Sequence, residues 1–258
     1  MKEQHEAHAD AGIRAGRGAS ELGLVTSGLL ALSAVLQSIA AVQRWGQHGG
    51  TDEAIEDHAF DYVIPADPWV SVGQAAVLFG IGYLLIGAAI VCVGVAARSA
   101  IAAGRSTVVA AIISAVFFAF FGSHALVSGL MGRPTPLQDV LATVGGAVIG
   151  LAQVLSLVVL AAMVLRRSAT WAVGLLLLGG TSMIGYLVAV FAIAPMIVGY
   201  QSYDTTPWSE GVLAAITAVS AVVFLGGSWV IRTVPREEEE AGFEVTDPRL
   251  PRTGRLRR

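Results

Sequence analysis

The sequence predicts an all-α membrane protein: six transmembrane helices laid out as three consecutive helical hairpins, with both termini cytoplasmic. Three observations predict it. Of the 258 residues, 55% are hydrophobic and 14% charged, against about 25% charged in soluble domains, so lipid is the natural solvent. Six apolar runs, near 22–43, 70–97, 107–131, 139–165, 170–199 and 210–231, reach the roughly 20 residues that a helix needs to cross a bilayer core. Finally, the basic residues sort by side. Lys2, Arg14, Arg17, Arg98, Arg105, Arg166, Arg167 and the seven arginines from Arg232 onward fall on one face, against Arg44 and Arg133 on the other. Short flanking segments rich in Lys and Arg stay in the cytoplasm.

Helices are expected because lipid cannot satisfy an exposed backbone, and the runs lack the alternation of barrel strands. Segment 1–21 is read as cytoplasmic. The run after it exceeds the usual 7–15-residue signal core and follows a long, partly acidic segment, so it is expected to remain as a membrane helix. Residues 22–232 then form the transmembrane domain, with an extracytoplasmic connection at 44–69. The tail, 233–258, lacks apolar periodicity, has Pro, Gly and mixed charge, and is expected to be disordered. Fifteen of the sixteen basic residues are arginine, as in a GC-rich genome, and the expected location is the cell membrane of a bacterium.

The connection "RWGQHGGTDEAIEDHAFDYVIPADP" is acidic and carries His48 and His58. Its "TDEAIEDH" reads as a short helix capped by Thr51. No metal is expected there, since the spacing matches neither an EF-hand nor an HExxH helix; if a cation bound, Asp57, His58 and Asp61 would serve as ligands. The aromatic residues that follow suggest a loop packed back onto the helix ends as a recognition surface.

The second run carries glycine at every seventh position: Gly73, Gly80, Gly87 and Gly94. Seven residues make nearly two turns, so these form an almost straight stripe along which another backbone can approach closely. Gly122 and Gly129 repeat the interval in the third run. Whether the partner helix belongs to the same chain or to a second copy stays open.

"DPWVSVG", "TPLQDV" and "TPWSEGV" begin the second, fourth and sixth runs, each with proline before a large apolar residue. Proline suits a helix's first turn, where its missing N–H has no partner to lose. Pro68 to Arg98 and Pro136 to Arg166 both span thirty residues, which supports a hairpin written three times.

No Asp, Glu, Lys or Arg lies deep in any run, which argues against proton relays and ion-coupled carriers. Gln37, Gln74, His124 and Gln153 are polar residues within the runs. They would either line an outward-facing cavity or make separate interhelical hydrogen bonds. His124 stands alone as a haem or metal ligand in the runs, and the single cysteine, Cys92, excludes a CxxC site. No nucleophile–base or paired-carboxylate constellation is present. The expectation is therefore a non-catalytic protein with no cofactor and no nucleic-acid partner. It would be an accessory or scaffold subunit whose partners are the bilayer and either further copies or other membrane subunits. The alternative is a small-solute channel or carrier, and a third class is a membrane enzyme or haem-binding electron carrier.

Overall fold

The computed structural model describes residues 2–46, 56–101, 105–143, 146–165, 168–202 and 204–233. Among them the chain is all-helical. The helices are α1 (Lys2–Trp45), α2 (Ala75–Ile101), α3 (Arg105–Met131), α4 (Leu137–Thr143), α5 (Gly146–Leu165), α6 (Ala169–Leu178), α7 (Met183–Val188), α8 (Ala194–Val198) and α9 (Ser209–Thr233). Five stretches are long and apolar enough to cross a membrane: Gly18–Trp45, Ala75–Arg98, Arg105–Met131, Val148–Leu165 and Ser209–Val230. A sixth is counted if α6 through α8 form one bent span. This is compatible with a multi-pass membrane protein.

Several expectations change in detail. Helix α1 reaches back to Lys2, so the segment before the first run continues its helix. Helix α2 starts at Ala75, which leaves residues 70–74 outside it; the Val70 amide instead donates to the Ala59 carbonyl at 2.6 Å. In the fourth run the described helices are α4 and α5, and residues 144–145 between them lie outside the described residues. The run 170–199, expected as one helix, bends by 65°. There Gly179–Thr181 forms a 3-10 turn and Ser182 caps α7, its hydroxyl accepting from the Gly185 amide. A glycine pair followed by two hydroxyl residues resists helix continuation and offers a new N-cap, although the run stays apolar throughout. A π-helical turn, Ala189–Ile193, separates α7 from α8.

Packing follows a ring: α3 on α2, α2 on α1, α1 on α9, α9 on α6, α6 on α5, and α5 back on α3. Sequence neighbours are adjacent in this order, but the most extensive interface joins α2 to α3, across the boundary between the first two expected hairpins. Large apolar side chains lie on both sides of the ring, while most polar ones on its helices face inward. On α1, Val25, Leu32, Val35, Ile39 and Val42 are exposed, whereas Ser20, Ser27, Ser33, Gln37 and Arg44 are buried.

The glycine stripe lies at the α2/α3 seam. A methyl placed on Gly80 would meet the Leu126 amide nitrogen at 2.5 Å and the Gly122 carbonyl at 2.6 Å, and one on Gly87 would meet the Ala115 carbonyl at 3.2 Å. Gly94 lies against Ala111, Gly122 against the Gly80 carbonyl, and Gly129 against Val77. The partner of this stripe is thus a helix of the same chain. Gly73 does not belong to it. Preceding α2, it sits in a turn with φ of 51° beside Gln43, a left-handed conformation that glycine adopts without strain.

The ring is filled by an aromatic column: Tyr62 on Phe79 with ring centroids 5.6 Å apart, Phe79 on Tyr83 at 4.2 Å, and Tyr83 on Phe118 at 5.6 Å. Tyr83 donates across the ring to the Thr181 carbonyl at 2.6 Å, satisfying a backbone group freed by the bend between α6 and α7.

Candidate functional site

The first and last spans run antiparallel, and their contact is built of polar rungs. Ser20 Oγ donates to the Ser228 carbonyl at 3.2 Å and Ser27 Oγ to the Ala221 carbonyl at 2.8 Å. Further along, Gln37 Nε2 donates to Thr217 Oγ1 at 3.3 Å and to Ser33 Oγ at 2.9 Å. The last rung is ionic: Arg44 Nη1 lies 2.7 Å from Glu210 Oε1, with side-chain exposures of 0% and 1%. Ser20 and Ser27, like Gln37 and Arg44, stand one heptad apart, which keeps them on one face of α1.

Arg44 closes the C-terminal end of α1 and Glu210 opens α9, so each charge also complements its helix dipole. Glu210 Oε2 accepts from the Trp45 indole at 2.6 Å and from Ser209 Oγ at 3.2 Å. The Arg44 guanidinium lies 4.4 Å from the centre of the Trp45 ring and donates to the Asp57 carbonyl at 3.3 Å. Sequence reading placed Arg44 among loop charges and Glu210 at the edge of a run. Both are buried, because folding sets the two helix ends at one level.

Asp61 turns inward towards this pair. Its Oδ1 accepts from the Val63 amide at 2.8 Å and its Oδ2 from the Tyr186 hydroxyl at 2.9 Å, while its carbonyl accepts from the Trp69 indole at 2.8 Å. Burial raises the Asp61 carboxyl above the ordinary carboxylate range; Arg44 opposes this and Glu210 adds to it. Glu210 makes the direct contact with the guanidinium, and the Asp61 carboxylate feels both charges. Beside them, burial pushes the Tyr62 phenol well up. Tyr62 OH and Thr206 Oγ1 are buried hydroxyl oxygens without a hydrogen-bond partner among the described residues.

A second cluster lies at the surface of the same end. Asp57 caps the 3-10 turn His58–Phe60, its Oδ1 accepting from the Ala59 amide at 2.8 Å. Asp204, from the α8–α9 connection, accepts through Oδ2 from the His58 amide at 2.8 Å and faces His58 Nδ1 at 3.0 Å. Asp57 Oδ1 lies 3.1 Å from the same ring nitrogen. Nearby, Tyr200 OH donates to Glu56 Oε1 at 2.5 Å, a bond that pushes the Tyr200 phenol up to about 12. The Thr205 amide donates to the Glu56 carbonyl at 3.0 Å. Of the three residues considered should a cation bind, Asp57 and His58 thus meet, but Asp61 points into the protein, and Asp204 stands beside the other two. Thr51, expected to cap a helix here, lies outside the described residues.

The four residues considered for a polar cavity lie at different contacts. Gln37 belongs to the α1/α9 rungs. Gln74 is exposed, and its amide donates to Gln43 Oε1 at 2.9 Å. His124 is buried, with Nε2 2.9 Å from the Pro65 carbonyl and Nδ1 2.7 Å from Thr135 Oγ1. A carbonyl only accepts, so the proton sits on Nε2 and Thr135 donates to Nδ1; this imidazole is committed to the loop and to the turn after α3. Gln153 Oε1 accepts from the Met183 amide at 3.2 Å, at the bend between α6 and α7. The partners of the four are thus all different, and they do not converge on one another.

Sequence reading missed Glu210 and Asp204, and did not bring Arg44 or Tyr186 into a site. The heptad offset of Arg44 from Gln37, and of Glu210 from Thr217, was the available signal for Arg44 and Glu210. No protein-family model matches the chain, and no curated protein or solved structure matches it either.

Proposed function

We propose that the chain is a non-catalytic multi-pass protein of the cell membrane, an accessory or scaffold subunit with both termini cytoplasmic. On this reading it is built from three sequence-adjacent hairpins and offers its loop end to another membrane subunit. The observation that carries the reading is the use made of interior polar groups. Gln37, His124 and Gln153 each serve a separate helix or loop contact, and the space between the spans is taken by the Tyr62–Phe79–Tyr83–Phe118 column. The charge rule supports the orientation.

Photocrosslinker placed at Val70 or Tyr200, both exposed at the loop end, tests this in intact cells. A discrete adduct with one membrane protein is expected at both positions. Absence of adducts, together with solute flux in liposomes containing the pure protein, would contradict it. One observation favours the channel or carrier instead: the fifth span is broken, as in carriers that bind substrate at helix ends within the membrane, and Gln153 Nε2 is buried there without a partner among the described residues. Flux that disappears in Gln153→Leu would establish that alternative.

A further inference from the structure

We propose that Asp57, His58 and Asp204 form a binding site for a first-row divalent transition-metal ion, with Zn2+ the natural probe. One carboxylate oxygen from each aspartate and the His58 imidazole nitrogen all lie within 4.8 Å of one another. The nitrogen stands at nearly equal distance, 3.0 and 3.1 Å, from oxygens of two different carboxylates. An imidazole nitrogen offers at most one hydrogen, which cannot point well at both. A cation serves all three atoms together: bonds of about 2.1 Å meeting at about 90° put their donor atoms about 3.0 Å apart.

The donors are held before any ion arrives. The Ala59 amide orients the Asp57 carboxylate and the His58 amide orients that of Asp204, the kind of support that fixes metal ligands in place. All three side chains are more than a third exposed, so water can complete the coordination shell. A mixed nitrogen and oxygen set favours Zn2+ and its neighbours over Mg2+ or Ca2+, which take oxygen alone. The bound ion would tie the connection after α1 to the one before α9. The site stands independently of the scaffold reading.

The test uses the full chain in detergent, stripped with chelator and titrated with Zn2+ by calorimetry, then with Co2+ by visible absorption. One equivalent of Zn2+ should bind, with at least tenfold weaker affinity in His58→Ala and in Asp204→Asn and no heat from Mg2+. A variant with His5, His8 and His48 all changed to Ala should bind Zn2+ as the parent does. Co2+ should give d–d bands in the parent protein, a reading that depends on no variant. Absence of these bands, binding unchanged in His58→Ala and Asp204→Asn, or loss of binding in the triple variant would overturn the proposal.

Discussion

Where α2 meets α3, the contact is made of small residues: Gly80 on Gly122 and Leu126, Gly87 on Ala115, Gly94 on Ala111. Where α1 meets α9, it is made of hydroxyl, amide and ionic rungs ending in Arg44 and Glu210. Lipid tails are as apolar as leucine, so burying leucine gives no reason for one helix to prefer another over lipid. A chain in lipid must use close backbone approach or polar pairing instead, and this one uses each at a different seam. The glycine seam joins helices that are neighbours in sequence, α2 ending at Ile101 and α3 starting at Arg105. The rungs join the first and last spans, where partner and register must be specified across most of the chain.

Single substitutions separate the two kinds of contact, each read by denaturant titration of the purified protein in mixed micelles. Glu210→Ala has the largest expected effect. It removes the carboxylate that stands 2.7 Å from a buried guanidinium, a loss of about 3–5 kcal/mol. Gly80→Ala comes next, at about 1–3 kcal/mol, because the new methyl meets backbone that cannot yield. Gly87→Ala should lose less, since its methyl would stand 3.2 Å from the nearest atom. Neither glycine change should alter the elution volume, because the seam is internal; a shift towards monomer from a larger species would show that a second copy shares it.

Asp61→Asn follows in size and reads out in pH. Burial raises the folded-state value of Asp61 above its unfolded one. Its contribution is therefore fully present below the ordinary carboxylate value and is lost as pH rises through the raised one. The substituted amide stays neutral, so the variant's stability should be flatter across the acid range and should gain on the parent towards neutral pH. A parent curve that rises with pH where the variant stays level would contradict the sign. Gln37→Leu is the smallest, about 0.6 kcal/mol, since one of its two polar atoms has no partner among the described residues.

Five apolar spans, or six if α6 to α8 count as one, were legible because a span is defined by length and apolarity, and the glycine stripe because its period matches the helix. The break at Gly179–Ser182 was hidden by the same apolarity: the run never becomes polar, and only the order of small and hydroxyl residues marks the turn. Arg44 and Glu210 read as edge charges because 166 positions separate them. Asp204 was missed as a neighbour of His58 for the same reason. His124 and Gln153 were legible as buried polar residues but not as members of different contacts, because their partners include backbone groups of the loop and of the bend between α6 and α7.

The claim on which the rest turns is that the Arg44–Glu210 pair closes α1 onto α9. A double-mutant cycle with Arg44→Met and Glu210→Met tests it most directly. Each single change should destabilise by about 3–5 kcal/mol, and the double change should recover most of that, because neither charge is then left alone in the interior. Losses that simply add would contradict the pairing.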